Sequence, residues 1–185
     1  YSTVGGTATS VTGTIAGTLQ DATTDGSKIY VATSSNLYQI AGTAATVLTS
    51  GAHTMCVFVS SRLLVGNDNI VYETASDGTR TSFYTHFSAT FIWAGAVQLG
   101  SRIYLFGTAF DKTEMLLLTT TSTGVLAISA EAMTLPFAET INTVLQHAGV
   151  LMLCTNKGVR LAVTTGDGAL SYGPLISAPG NVKCA

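Results

Sequence analysis

Four segments of this chain repeat one pattern, and that repeat limits the fold more than any other feature. In each segment a turn containing serine or glycine is followed by a short apolar run, and a basic residue stands between them in the first three copies. The anchoring residues are Ser27, Ser61, Ser101 and Gly149, at intervals of 34, 40 and 48 residues. These intervals straddle the roughly 40 to 50 residues of a propeller blade.

Each apolar run leads through a turn into a second strand-like run, as in a β-hairpin. In three of the four copies the first run is apolar almost throughout. Such a run is typical of a strand that is covered on both faces by neighbouring sheets. A single blade cannot bury both of its faces, whereas radially repeated blades cover one another and leave only short edges.

The sequence therefore predicts an all-β protein, a β-propeller or partial propeller of about four antiparallel blades, with a β-sandwich as the structural alternative. Further strand candidates precede each following copy, at residues 53–60, 90–99, 125–129 and 141–146. We expect the repeat domain to cover residues 25–178. A Thr/Ser/Gly-rich arm or linker at residues 1–24 would precede it, and a tail at residues 179–185 would follow it.

The charge of the chain argues against nucleic acid as a partner. Only 10% of the residues are charged, against roughly 25% in an average soluble domain. The eight basic residues are scattered and the formal net charge is −2, so no cluster could follow a phosphate backbone. No apolar run approaches the roughly 18 residues of a membrane helix. A nearly neutral surface suggests a part that neighbouring molecules cover, or a rigid β protein that needs few charges.

The three cysteines, Cys56, Cys154 and Cys184, are too few and too widely spaced for a disulfide framework or a CxxC metal site. Cys56 and Cys154 each lie in an apolar run, where we expect buried reduced thiols. This usage favours assembly in a reducing compartment.

No catalytic, cofactor or metal motif is found in the sequence. The acidic residues stand mostly in turns, where they cap backbone N–H groups, and the three histidines have no metal-ligand spacing. We therefore expect no catalytic, cofactor-binding or metal-binding residue. Trp93 is a candidate ligand platform, although packing within an apolar strand is the commoner role of such a residue.

The segment at residues 134–175 resembles a pattern in minor tail proteins of tailed bacteriophages, notably those of actinobacteria. A Leu-Pro and Glu segment precedes a strand, which is followed by an Asn-Lys-Gly-Val-Arg turn and a Gly-x-Leu-x-Tyr-Gly-Pro strand. The motif residues are Pro136, Glu139, Lys157, Gly158, Arg160, Tyr172, Gly173 and Pro174. Phe137-Ala138 departs from the glycine expected before the glutamate. Residues 25–126 share the resemblance loosely.

The resemblance implies a non-enzymatic structural component of a phage tail tip or fibre, assembled in the host cytoplasm and located in the virion. Its partners would be other tail proteins in a multimeric assembly and a host-surface glycan. Two alternatives remain open. One is a carbohydrate-binding or glycan-cleaving propeller, with Trp93 or a tyrosine as platform and an acidic pair for cleavage. The other is a cellular repeat scaffold with a peptide partner.

Overall fold

The computed structural model describes residues 10–110 and 112–176, which form sixteen β-strands. These described residues contain no helix, and so none that is long and apolar enough to cross a membrane. The strands make four antiparallel sheets of four strands each. In every sheet the spatial order of the strands is their order in the chain. We call these sheets blades 1 to 4.

Each blade is formed by one continuous stretch of the chain. Blade 1 consists of β1 (Leu19–Thr24), β2 (Lys28–Thr33), β3 (Asn36–Ala41) and β4 (Ala44–Ser50). Blade 2 consists of β5 (Met55–Val59), β6 (Arg62–Asn67), β7 (Ile70–Thr74) and β8 (Arg80–Thr85). Blade 3 consists of β9 (Ile92–Leu99), β10 (Arg102–Ala109), β11 (Lys112–Thr120) and β12 (Leu126–Thr134). Blade 4 consists of β13 (Ile141–His147), β14 (Val150–Thr155), β15 (Val159–Thr164) and β16 (Leu170–Tyr172).

The four repeated apolar runs occupy equivalent places in the four blades. Ile29, Leu63, Ile103 and Leu151 are each the second residue of the second strand of their blade. The first strands of successive blades contact one another in chain order. The prediction of an all-β, propeller-like fold with four antiparallel blades is confirmed. The four sheets follow one another in a row and do not form the two-layer sandwich that was the alternative.

The core lies between the blades, as expected for sheets that cover one another. One apolar cluster joins blades 1 and 2, including Tyr30, Leu37, Cys56, Leu63 and Val65. A second joins blades 2 and 3, and a third joins blades 3 and 4. Complete burial of an aliphatic or aromatic side chain contributes about 1.5–3 kcal/mol. The junctions between blades are therefore the main source of stability.

The first blade begins at Leu19, inside the segment that the sequence assigned to an arm or linker. The sequence LQDATT of β1 carries little apolar signal, and most of this strand is exposed or half-buried. Residues 10–18 cross the outer face of blade 1, where Val11 packs against Val31, Tyr38 and Ile40. Residues 1–9 and the predicted tail at residues 179–185 lie outside the described residues.

The cysteine expectations are met at one position and fail at another. Cys56 is a buried free thiol, and burial raises its pKa to about 12. Cys154 is also buried, but it is disulfide-bonded, so the expectation of a reduced thiol there is wrong. Cysteine usage therefore no longer supports a reducing compartment.

Candidate functional site

A buried ion pair joins the loop before blade 4 to the third strand of that blade. Glu139 lies between β12 and β13, and Arg160 lies on β15. The Nε and Nη2 atoms of Arg160 donate to the two carboxylate oxygens of Glu139, each at 2.8 Å. The Glu139 side chain is 4% exposed and that of Arg160 is 14% exposed. This bidentate geometry is the strong form of a charge-assisted hydrogen bond.

The remaining polar groups of the Glu139–Arg160 pair are also engaged. Thr155 Oγ1 donates to Glu139 Oε1 at 3.1 Å, and Arg160 Nη1 donates to the carbonyl of Gly173 at 2.9 Å. The guanidinium carbon lies 5.2 Å from the ring centroid of Tyr172. Hydrogen bonding to Glu139 raises the pKa of Arg160. The pair is thus a structural clamp and leaves no carboxylate oxygen free for proton transfer.

The structure gathers five of the eight motif residues at this clamp. Glu139, Arg160, Tyr172 and Gly173 meet there, and Gly158 joins through its amide, which donates to Thr155 Oγ1 at 3.2 Å. The other three, Pro136, Lys157 and Pro174, are exposed and lie outside it. The sequence motif therefore marks the construction of blade 4.

A second polar cluster lies between blades 2 and 3. His86 follows β8, and its Nε2 lies 3.1 Å from Glu114 Oε2 on β11. The amide of Ser88 donates to His86 Nδ1 at 3.1 Å, which leaves Nε2 as the ring nitrogen that donates to Glu114. Lys112 pairs with the other oxygen of Glu114. Burial alone would raise the pKa of Glu114, but its bonds to Lys112 and His86 outweigh burial and lower that pKa.

Trp93 belongs to the aromatic packing around this histidine. Its indole ring is 0% exposed and lies edge-on to Tyr84 and Phe91, with ring centroids 5.8 Å and 4.7 Å away. His86 stacks on Phe91 at 3.8 Å. The structure therefore gives Trp93 a packing role, because a completely buried ring offers no face to a ligand.

Sequence reasoning missed the His86–Glu114 contact. The two residues are 28 positions apart on different blades, and neither stands in a motif. The available signal was weak, since Glu114 is a single acidic residue at the start of a long apolar strand. Among the described residues, no group of three or more His, Cys, Asp or Glu side chains is placed to hold a metal ion.

Two arginines at equivalent repeat positions connect blade 2 to blade 3 and blade 3 to blade 4. Arg62 Nη2 donates to the carbonyl of Gly124, in the turn between the third and fourth strands of blade 3, at 2.8 Å. Arg102 donates to the carbonyls of Thr165 and Gly166, in the corresponding turn of blade 4, at 2.9 and 2.8 Å. We call Arg62 and Arg102 the inter-blade arginines, and this side of the molecule the arginine end.

A cavity of about 480 Å³ lies at the arginine end, lined by Ser60, Arg62, Ser101, Arg102, Leu118 and Leu126, among others. Both arginines that line the cavity already have hydrogen-bond partners. Arg62 also pairs with Glu73 at 2.7 Å, and Arg102 also bonds to Thr164 Oγ1 at 2.6 Å. The charge of Arg62 is therefore neutralised by Glu73, and the N–H donors of Arg102 are engaged by neutral oxygens of blade 4.

Three phenylalanines are highly exposed at the opposite side, which we call the phenylalanine end. Phe87, Phe110 and Phe137 are 81–86% exposed. They follow the ends of β8, β10 and β12, all of which finish on this side. Their segments meet at the start of β11, where His86 contacts Glu114 and the amide of Leu135 donates to the carbonyl of Thr113. Contiguous exposed apolar patches are typical of interaction sites, so the phenylalanine end is the candidate binding surface.

The fold and these sites define a propeller-like β protein, and the comparisons agree on that level. No family model and no curated protein sequence matches the chain. Similar solved structures include the extracellular domain assigned to a one-component system of B. thetaiotaomicron, at 13% identity and a TM-score of 0.65. That match covers 92% of this chain and 25% of the other.

Two further structures resemble this chain over about half of their own length. A virginiamycin B lyase from Staphylococcus aureus has 11% identity and a TM-score of 0.62, and the match covers 88% of this chain and 57% of the lyase. An auxiliary nutrient binding protein from Bacteroides thetaiotaomicron has 11% identity and a TM-score of 0.59, with 83% and 46% covered. At such identities the likeness concerns the fold alone.

Proposed function

We propose that this chain is a non-enzymatic structural component of a bacteriophage tail tip or fibre, which assembles with other virion proteins and contributes to attachment at the host surface. It would be assembled in the host cytoplasm and be located in the virion tail. The observation that carries the proposal is that the segment with the phage-tail resemblance forms one complete structural unit, blade 4 with the loop before it.

The buried ion pair of blade 4 supports a structural role for the chain. Glu139 and Arg160, two of the few charged residues of the chain, neutralise each other inside the fold. Burying such a pair gives little net stability but fixes a unique arrangement of the elements it joins. A component that must present the same shape in many copies of a particle has use for such a contact.

The surface supports assembly as well. Only 10% of the residues are charged, and large apolar side chains remain exposed at both end blades and at the phenylalanine end. Surfaces of this kind are typical of proteins that are covered by partners. The structural neighbours, which are bacterial proteins, do not bear on this assignment.

The proposal is tested by locating the chain in particles. An antibody against it should label the tail tip or fibres of phage particles purified from the source lysate, as seen by immunogold electron microscopy, and its peptides should co-purify with those tails in mass spectrometry. A chain present only in the unassembled soluble fraction, and missing from intact particles, would refute the proposal.

A glycan-binding propeller is the second candidate, and the three exposed phenylalanines favour it. Aromatic faces can stack on sugar rings, and a solved neighbour is named as a nutrient binding protein. Binding is better supported than cleavage, because the buried carboxylates Glu114 and Glu139 are both held by cations. A glycan array should show binding that F87A and F137A each weaken, while V125D on another surface leaves it unchanged; a blank array would remove this candidate.

A further inference from the structure

The outer face of blade 4, which points away from blade 3, carries apolar side chains from three strands. The residues of β14 on either side of Met152 point into the cluster shared with blade 3. Met152 and Cys154 alternate with them and therefore lie on the outer face. Leu145 and Leu161 are paired with Met152 across the sheet, and they are 41% and 40% exposed. Part of this face is thus open to solvent.

Cys154 is an exception on the outer face, because it is 0% exposed and disulfide-bonded. The chain has three cysteines. Cys56 is a free thiol, buried in the cluster between blades 1 and 2. Cys184, which lies outside the described residues, therefore remains as the partner of Cys154 within this chain.

The end of the described chain lies close enough to Cys154 for this bond. The amide of Ile176 donates to the carbonyl of Val159 at 2.7 Å, and Val159 is paired with Cys154 in the sheet. Two steps between neighbouring strands span about 10 Å. The eight residues from Ser177 to Cys184 reach up to about 26 Å when extended. The segment therefore has length to spare and can fold back over the outer face.

The sequence of residues 177–185 is typical of a turn followed by a short extended segment. Pro-Gly-Asn at residues 179–181 is turn chemistry. Val182, Lys183 and Cys184 follow it. In an extended chain Val182 shares the side of Cys184, whereas Lys183 points the other way. The same alternation that brings Cys184 to Cys154 therefore turns a valine toward the apolar face and a lysine toward solvent.

Blade 1 shows how the other end of the row is covered. Residues 10–18 cross its outer face, where Val11 packs against Val31, Tyr38 and Ile40. The terminal units of repeat proteins need such a cover, because no neighbouring unit buries their outer face. A flanking segment of the chain itself already has this role at one end blade of this molecule.

We propose that residues 177–185 form a strap that crosses the outer face of blade 4 and is closed by a disulfide between Cys154 and Cys184. Each thiol gives up one proton and one electron, and one molecule of oxidised glutathione accepts both pairs and leaves as two thiols. Disulfides persist in oxidising environments and are reduced in the cytosol. The strap therefore covers the face in the first setting and releases it in the second. This inference rests on blade 4 and not on the virion assignment, so either can fail alone.

Peptide mapping tests the bond. The full chain is oxidised with glutathione disulfide, its free thiols are alkylated in denaturant, and it is digested without reduction. Mass spectrometry should find one pair of peptides joined through Cys154 and Cys184, with Cys56 alkylated, and an intact mass of a single chain. A pair that contains Cys56, a disulfide-linked dimer or three alkylated cysteines would overturn the proposal.

Oxidation of methionine by dilute hydrogen peroxide tests the cover. Met152 lies on the outer face, whereas the other three methionines are buried in the clusters between blades. In C184S the rate of sulfoxide formation at Met152 should rise by about five-fold, because the strap is no longer held over it. The three buried methionines are the internal control, and their rates should not change.

Two neighbouring substitutions examine the strap with its disulfide intact. V182D should raise the rate at Met152 by about three-fold or more, because it places an unpaired carboxylate against an apolar face. K183D, on the side that points to solvent, should leave the rate unchanged. If the rate at Met152 stays unchanged in C184S or in V182D, residues 177–185 do not lie on this face and the proposal fails.

Discussion

Blades 1 and 4 stand at the two ends of the row, and different contacts hold them in place. Blade 1 is crossed on its outer side by residues 10–18, which contribute Val11 to an apolar cluster and Thr12 to a bridge with Ala44 on the outer strand. Blade 4 has the buried Glu139–Arg160 pair on its inner side and receives the donors of Arg102 from blade 3. Neutral backbone and apolar contacts therefore hold blade 1, whereas charged side chains hold blade 4.

The contrast shows that one blade architecture can be completed in two ways. A peptide segment that adds to a blade satisfies backbone groups and covers apolar side chains together, and its contribution hardly depends on salt. A buried ion pair fixes geometry, but it makes the blade vulnerable to the loss of either partner. The two ends should therefore respond differently to the same kind of substitution.

The largest effect is expected at the charged end. R160M would leave the Glu139 carboxylate buried without its cation, and removing one member of such a pair costs about 3–5 kcal/mol. Urea unfolding should show this loss of stability. The double variant E139Q/R160M should recover part of it, because no uncompensated charge then remains. A loss below about 1 kcal/mol, the usual value of an exposed pair, would show that the pair is solvated.

The next effect is pH-dependent and belongs to the junction of blades 1 and 2. Burial lowers the pKa of His53 to about 4, and its Nε2 lies 3.0 Å from Thr49 Oγ1. The unfolded chain binds a proton at this residue near pH 6.5 and the folded chain does not. The free energy of unfolding should therefore fall by about 3 kcal/mol between pH 6.5 and pH 4, and then become insensitive to this group.

Thermal unfolding of H53Q across the same pH range is the check on this dependence. The variant should lose most of the slope between pH 6.5 and 5, whereas H147Q, at an exposed histidine of blade 4, should keep it. An unchanged slope in H53Q would place the titrating group elsewhere.

A smaller difference is expected between equivalent basic residues. Arg102 donates to Thr164, Thr165 and Gly166 of the next blade, whereas the ammonium group of Lys28 donates to Gln39 of its own blade, at 3.2 Å. R102M should cost about 1–2 kcal/mol through the lost hydrogen bonds, and K28M no more than about 0.5 kcal/mol, as for an ordinary surface change. If R102M and K28M lowered the free energy of unfolding equally in urea, Arg102 would not stabilise the contact between blades.

The smallest effect concerns the segment that crosses blade 1. The hydroxyl of Tyr38 accepts hydrogen bonds from the amide of Ala16 at 2.8 Å and from Asn36 Nδ2 at 3.0 Å. Y38F should cost about 1 kcal/mol and should speed hydrogen exchange in residues 10–18. Y104F removes a similar bond, to the carbonyl of Gly168, and should leave that exchange unchanged. If both variants loosen residues 10–18, Tyr38 does not hold the segment.

The sequence predicted most of the fold, because the repeat combines an apolar period with turn chemistry, and both are local signals. It did not reveal β1, whose side chains are largely solvated and whose place depends on pairing with β2. It showed a basic residue in the first three copies of the repeat, but it did not reveal that two of them, Arg62 and Arg102, join blades, because their partners are mostly backbone carbonyls, which every residue possesses.

The candidate sites were harder to predict for the same physical reason. Glu139 and Arg160 were named through a resemblance, but their pairing across 21 positions follows only from the folded blade. The exposure of Phe87, Phe110 and Phe137 ran against the expectation for large aromatic residues. Trp93, the most conspicuous aromatic residue in the sequence, is completely buried.

In the turns at the arginine end, Arg62 binds the main-chain carbonyl of Gly124, and Arg102 binds those of Thr165 and Gly166 in addition to the hydroxyl of Thr164. The two turns, Thr-Ser-Thr-Gly before Val125 and Thr-Gly-Asp-Gly before Ala169, already differ in sequence while meeting the same kind of donor. New side chains could therefore be displayed at exposed positions of these turns, such as Ser122 and Gly166, whereas Gly168 is buried against Leu117 and has no room for one. This rim of the molecule is free to diversify, and it is the natural place to engineer a new specificity.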